Sequence, residues 1–263
     1  MRARVAPEIK NYRGYIHLKI IPGAEYDQVL ASLKLADRVS INLEAPNAAR
    51  LADLAPSKHF NQHLWQTLVW ARKIRQIPTP AFSTRLSWSS ISTQFVVGGS
   101  DESDRELLSV TQILFSNLDL RRIYYSAFKP IHNTPLENHQ SIPFQREQRL
   151  YQASYLIRDY GFQWGEISLD QDGNLPLSCD PKTLWARSHL SETPLEINHA
   201  SPQELLRVPG IGPLGAKAVL FARKHHALND ISMLIKLGIR AERASPFILL
   251  CGHQPARQLR LFK

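Results

Sequence analysis

The residues with the most definite chemistry lie between Ser201 and Lys224. Ser201-Pro202-Gln203-Glu204 has serine at an N-cap position, proline at the first helical position and glutamate three residues after the serine. That is the pattern of a reciprocally capped helix. The helix should run through Arg207 and end at Val208-Pro209-Gly210-Ile211-Gly212. Pro213 then opens a second helix, with Leu214, Ala218, Phe221 and Ala222 spaced to pack inward. Glycines between two helices let the backbone take positive φ and let an anion approach the main chain. The amides of Gly210, Ile211 and Gly212 would face that anion at the start of the second helix, with the helix dipole behind them. The Ile211 side chain is expected to plug the turn into the core. Lys217, Arg223 and Lys224 are placed to reach neighbouring phosphates. Contacts of this kind hold a sugar-phosphate backbone and carry no sequence information.

The charge distribution points the same way. From Ile197 to Lys263 ten Lys or Arg face three acids, a balance of +7, out of a formal +9 for all 263 residues. A basic tail on a nearly neutral body is the electrostatic footprint of a polyanionic partner. A second, poorer copy of the pattern follows, Asp230 to Ile235, Lys236-Leu237-Gly238-Ile239 and Arg240 to Ala244. Its expected role is to pack against the first copy, with Arg240 and Arg243 near the backbone of the partner. Two capped helices around a PGIG turn resemble a helix-hairpin-helix module, so DNA bound through its backbone is the expected partner.

Other chemistry is sparse. Cys179 and Cys251 are the only cysteines and are far apart, which supports neither a disulfide framework nor a cysteine metal site. His59 and His63 have a zinc-compatible spacing, but Phe60-Asn61-Gln62 between them lacks the glutamate of a metalloprotease helix. Metal ligands are therefore expected to be none, and the catalytic residues are unknown. No apolar run approaches the roughly 18 residues that cross a bilayer, and Met1 to Lys10 has no apolar core. A cytoplasmic protein with no membrane partner is expected.

The elements that must carry these residues differ between the two halves of the chain. Strands are expected at Gly14–Ile21, Arg38–Glu44, Thr93–Val97 and Arg122–Phe128, with helices at Glu25–Leu35, Ala48–Leu54, Phe60–Arg75 and Ser103–Ser116. Pro78, Pro80 and the run Ser83 to Ser92 read as a loop. Strand-helix alternation argues for a parallel sheet or barrel. His17 and Lys19 alternate with apolar residues on the first strand, as do Ser40, Asn42 and Glu44 on the second, so one face of the sheet should be a polar lumen. Helices are then expected at Pro143–Tyr160 and Asp180–Leu190. The division is a partial barrel over residues 1–142, a helical connector over 143–196 and an all-α domain over 197–263.

Long segments of the chain are similar to the DNA modification and repair branch of the radical S-adenosylmethionine (SAM) superfamily. They are GYIHLKIIPGA (Gly14–Ala24), ADRVSINLEAP (Ala36–Pro46), STQFVVGGSDESDREL (Ser92–Leu107), RIYYSAFKPI (Arg122–Ile131), QREQRLYQASYLIRDYGF (Gln145–Phe162) and the hairpin. The resemblance implies an α/β partial radical-SAM-type (β/α) barrel followed by an all-α helix-hairpin-helix domain. It implies that Ser40, Asn42 and Glu44 hold the ribose and amino acid part of SAM. Gly98 belongs to a glycine motif at the next strand, and Pro130 and Thr134 to the turn near the adenine. The family's cofactors are SAM and a [4Fe–4S] cluster held by three closely spaced cysteines after the first barrel strand. That loop has no counterpart here, and the sequence matches from what looks like the third strand onward. Cluster ligation requires thiolates, so this chain alone is not expected to catalyse the family reaction. Three readings stay open: the C-terminal portion of such an enzyme, a non-catalytic DNA-binding protein with a decayed barrel, or one subunit of a split enzyme that pairs with an N-terminal barrel segment.

Overall fold

The computed structural model describes residues 14–78 and 87–255. Arg257, Arg260 and Lys263, the segment Met1–Lys10, and Pro80 with Ser83 lie outside the described residues. The chain divides into two compact units, Met1–Glu147 and Gln148–Lys263.

The first unit is α/β. Its elements run β1 (His17–Lys19), α1 (Tyr26–Leu35), β2 (Arg38–Ser40), α2 (Ala48–Leu54), a π-helical turn (Phe60–Trp65), α3 (Gln66–Gln76), β3 (Ser90–Val97), α4 (Asp104–Ser116) and β4 (Arg122–Ala127). The four strands pair in sequential order and all in parallel, with Lys19 opposite Ser40, Ser40 opposite Ser92 and Ser92 opposite Arg122. Because neighbouring residues of a strand point to opposite faces, Leu18, Val39, Ile91, Phe95, Val97, Ile123 and Tyr125 share one face, and all but Leu18 are buried. Val29, Leu33, Leu51, Leu68, Ile74, Leu107 and Leu114 of the four helices complete this core.

Local chemistry sets the helix starts. Asn47 caps α2 by accepting the Arg50 amide at 3.0 Å. Ser103 and Glu106 cap α4 reciprocally: the Ser103 hydroxyl accepts the Glu106 amide, and the Glu106 carboxylate accepts the Ser103 amide at 2.9 Å. The same carboxylate receives two guanidinium donors of Arg50, each at 3.1 Å. Burial pushes the Glu106 carboxyl up, but the bonds from Arg50, Ser103 and Asn47 outweigh it and hold the pKa at about 2.

Three strands differ from expectation, and the first of them, β1, covers only His17–Lys19 of the expected Gly14–Ile21. β2 ends at Ser40, because the Leu43 amide donates to the Thr93 hydroxyl at 3.1 Å instead of to a carbonyl of the ladder. Pairing resumes at Glu44, whose amide donates to the Gln94 carbonyl at 2.9 Å. β3 begins at Ser90, inside the serine run read as a loop. There a register partner on β2 for each serine, Arg38 for Ser90 and Ser40 for Ser92, overrides the turn-like composition.

The second unit is mostly helical. It contains α6 (Pro181–His189), α7 (Pro202–Arg207), α8 (Pro213–Ala222), α9 (Ile231–Lys236) and α10 (Ala241–Ala244); α5 (Phe144–Asp159) leads into it from the first unit. It is not all-helical: β5 (Leu195–Glu196) pairs in parallel with β6 (Ile248–Leu249). The core is a single cluster that includes Ala186, Ile197, Leu205, Val208, Ile211, Val219, Leu234, Ile239 and Ile248. Residues of α6 thus share a core with the hairpin, although the sequence reads them as a connector. Among the described residues no helix is long and apolar enough to cross a membrane.

Candidate functional site

The hairpin is built as its sequence demands. The Ser201 hydroxyl accepts the Glu204 amide at 3.2 Å and the Glu204 carboxylate accepts the Ser201 amide at 2.7 Å. Pro202 and Pro213 occupy the first turns of α7 and α8. Gly210 turns the chain at φ +87°. A Cβ there would meet the Arg240 carbonyl oxygen at 2.5 Å, so the position excludes every side chain for a packing reason as well. The Arg240 amide donates to the Gly210 carbonyl at 3.3 Å, which joins the glycine turn to the second, poorer copy.

Ile211 is 1% exposed, so its side chain is the plug expected of it. Its amide, however, donates to the Val208 carbonyl at 3.2 Å and is used up within the turn. Gly212 caps α8 in extended conformation. As the first amides of the helix, those of Gly212, Leu214 and Gly215 have no preceding turn to donate to and point out of its N-terminus.

The inward packing expected of α8 is only half right. Leu214 is 83% and Phe221 68% exposed, while Ala216 and Val219 carry the core contact. Leu214, Lys217, Phe221 and Lys224 follow one another at helical spacing and are all exposed, so they form one solvent-facing stripe. Arg223 is turned away from it. Its Nη1 donates to the Ile197 and Ala200 carbonyls at 3.0 and 2.6 Å, which anchors the lead-in to α7. Arg207 is also engaged internally: its guanidinium lies 3.8 Å from the Phe162 ring centroid and pairs with Glu166 at 3.0 Å. Lys217, Lys224, Lys236 and Arg240 are the exposed cations of this unit's described part of the basic tail apart from Arg243, which is spent on Asp180 at 2.6 Å.

Beneath the turn lies a lysine that its sequence neighbours do not single out. Lys182, on α6, is 9% exposed and donates to the Ile211 carbonyl at 2.6 Å. Its ammonium sits 4.5 Å from the Tyr160 ring centroid. Burial first, then the charges of Arg243 and Arg207 against the single opposing Asp180, bring it down to about 7.

In the first unit, His17, Lys19, Ser40, Asn42, Gln94 and Tyr124 line a concavity of about 400 Å³ on the polar face of the sheet. Burial and then the Arg38 charge hold His17 below its ordinary value. The Asn42 amide donates to Gln94 Oε1 at 3.4 Å. In the row of Lys19, Ser40 and Arg122, Ser92 is fully buried and its hydroxyl has no partner. Ser40 and Asn42 thus meet in this concavity, joined by Tyr124, which strand alternation alone does not mark as a site residue.

The other four candidates lie elsewhere. Glu44 stands at φ +66°, a sparsely populated conformation for a residue with a side chain. Its carboxylate pairs with Lys58 at 3.4 Å. Gly98, at φ +79°, is enclosed: a Cβ would meet the Ile142 side chain at 2.1 Å. The buried Glu102 carboxylate gathers the Gly98 and Ser100 amides, and the Gly98 carbonyl bonds the His139 ring at 2.9 Å. Pro130 is exposed, and the Thr134 hydroxyl donates to the Ile131 carbonyl at 2.7 Å.

Among the described residues no group of three or more His, Cys, Asp or Glu could hold a metal ion. Comparison with protein-family models, with curated proteins and with solved structures finds no match to this chain.

Proposed function

We propose that the chain binds DNA through its sugar-phosphate backbone and acts as the C-terminal portion of a DNA-modifying enzyme of the radical-SAM type. The second unit would be the DNA-holding module and the first an incomplete (β/α) barrel. The observation that carries the DNA reading is the reciprocally capped α7, the Gly210 turn and α8, with Lys217 exposed on α8 and Lys224 exposed in the turn just after it. A phosphate resting on the Gly212, Leu214 and Gly215 amides gains the helix dipole and requires no side chain. Arg223, with its guanidinium spent on carbonyls, is assigned a role in positioning α7. Leu214 and Phe221, exposed beside two lysines, suit a partner that offers sugar and base surfaces along with charge.

For the first unit, the fit to SAM rests on the polar concavity lined by His17, Lys19, Ser40, Asn42, Gln94 and Tyr124. Ser40, Asn42, Gln94 and Tyr124 would hold the polar edges of the adenosyl group. SAM, when bound, supplies the carbon centre transferred or made radical in reactions of this type. Cys179 and Cys251 both belong to the second unit and do not make the cluster's donor set, so no step through a cluster is derived for this chain.

Fluorescence anisotropy against unrelated duplexes tests the reading. The expected result is binding of similar strength to every sequence, weakened steeply by salt as counterions are released. Absence of binding at low salt, or strong dependence on sequence, would overturn it.

A further inference from the structure

Behind the glycine turn is a cavity of about 370 Å³ within the second unit, lined by Tyr160, Asp180, Lys182, Arg240 and Arg243 together with the backbone of Gly210–Gly212. We propose that this cavity is a phosphomonoester site, which takes the terminal phosphate of a DNA strand end that lies against the turn. The inference rests on the DNA reading above and adds to it a preference for ends and nicks.

Charge supports a dianion. Three cationic side chains face one carboxylate, and that carboxylate is already satisfied: Asp180 accepts the Thr183 amide at 3.0 Å and an Arg243 N–H at 2.6 Å. Arg243 also donates to the Thr183 hydroxyl at 2.9 Å. Among the described residues, Lys182 and the exposed Arg240 are left without a counter-charge of their own. Two positive groups match the roughly two negative charges of a phosphomonoester near neutral pH. The Lys182 ammonium spends one donor on the Ile211 carbonyl and lies against the Tyr160 ring, which leaves a donor for a ligand. Burial beside Arg243 and Arg207 makes its charge costly, and an anion in the cavity would remove that cost.

Shape selects the monoester. A phosphate inside a continuous strand carries a single negative charge and two ester links, which hold it on the rim at the helix N-terminus. A terminal phosphate has three free oxygens and one link, so it can enter a recess walled by a lysine that is 9% exposed. The turn itself forms part of the wall, so a strand crossing the α8 N-terminus passes directly beside the opening.

Anisotropy with the full chain tests the proposal on five probes: a nicked duplex with a 5′-phosphate, a 3′-phosphate or neither at the nick, a closed dumbbell without ends, and free nucleoside monophosphate. One phosphorylated nick is expected to bind at least fivefold more tightly than the hydroxyl nick and the dumbbell. Arg240→Gln and Lys182→Met should bring that ratio close to one. Arg240 is exposed, so its variant keeps the test valid even where Lys182→Met disturbs the turn. A ratio near one in the parent, with the dumbbell still bound, overturns this inference alone. No binding of any DNA overturns the DNA reading and this inference with it. A free monophosphate that binds as tightly as the phosphorylated nick overturns the assignment to strand ends.

Discussion

The amide of Arg240 donates to the carbonyl of Gly210, so the two glycine turns of the second unit are joined backbone to backbone. The same approach places the Arg240 carbonyl oxygen 2.5 Å from where a Gly210 Cβ would stand. Gly210 therefore has two constraints, positive φ and the neighbouring turn.

The first prediction follows from this pairing. Gly210→Ala should destabilise the second unit by roughly 2–4 kcal/mol, from unfavourable φ plus the steric conflict. Thermal and urea denaturation measure the loss. A variant as stable as the parent would show that the turns can part without cost. Gly212, in extended conformation with only Tyr160 near, should tolerate alanine with a much smaller penalty.

DNA binding should divide the cations by position. Lys217→Ala and Lys224→Ala should each lower the log-log salt slope by about 0.9 for every phosphate that is no longer neutralised, with little change in stability. Arg223→Ala should instead destabilise the fold by about 1–3 kcal/mol, because the Ile197 and Ala200 carbonyls lose a charged donor. A salt slope unchanged in both lysine variants would remove α8 from the interface.

The sequence carried the helix starts and the hairpin almost residue by residue. Ser201, Glu204, Pro202 and Pro213 act within one turn of their own position, so local spacing is enough to read them. It did not carry the exposure of Leu214 and Phe221 or the engagement of Arg207 and Arg223. Those depend on which face of a short helix meets α6 and the Phe162 region, and periodicity alone does not choose a face. Lys182 was invisible for the same reason: a lysine next to Asp180-Pro181 reads as solvated until the fold buries it under Ile211. In the first unit alternation found Ser40 and Asn42 on the polar face, whereas Glu44 left it through a backbone conformation that no pattern announces.

The pH dependence of stability should have the same sign in the two units but fall in different pH windows. Lys182 titrates near 7 when folded against an ordinary 10.5. Below pH 7 both states are protonated and the folded state carries the full cost of the buried charge. Between pH 7 and 10.5 the unfolded state binds more protons, so stability rises with pH, by up to ~5 kcal/mol across the window. Denaturation at half-unit steps from pH 6.5 to 9.5 should show this rise in the parent and a flatter profile in Lys182→Met.

Glu106 acts in the same direction at acid pH. Its folded pKa is about 2, below the ordinary 4.5, so its contribution is complete above 4.5 and is lost as pH falls toward 2. With both partners about a third exposed, solvent screening reduces this to roughly 1–2 kcal/mol. Glu106→Gln should lower stability at pH 7 by that amount and converge with the parent near pH 2. Equal stability at pH 7 would mean that the Arg50 pair contributes nothing.

The Ser92 hydroxyl gives a test of the polar face. Ser92→Ala should leave stability unchanged or raise it by up to ~1 kcal/mol, since an unpaired buried hydroxyl costs free energy. Calorimetric titration of the parent with SAM is expected to show no micromolar binding, because a few hydrogen bonds at about 1 kcal/mol net each do not offset association entropy. A marked loss of stability in Ser92→Ala would show that the hydroxyl has a partner in solution.

The short parallel pairing of β5 with β6 has a consequence for cooperativity. It binds the segment just before α7 to the segment just after α10, and the intervening helices close a loop between them. Loop closure of this kind is a single entropic event, so neither hairpin gains its full stability until both ends have met. The second unit should therefore open as one cooperative block, with the amide of Ile197, bonded to Leu249, exchanging with solvent at the same rate as the buried amides of α8. A cut made at Ile197 would remove β5 along with the Ala186 and Lys182 contacts of α6. The smallest autonomous folding block is thus the stretch from about Gln148, and the basic tail by itself should exchange like an unfolded peptide.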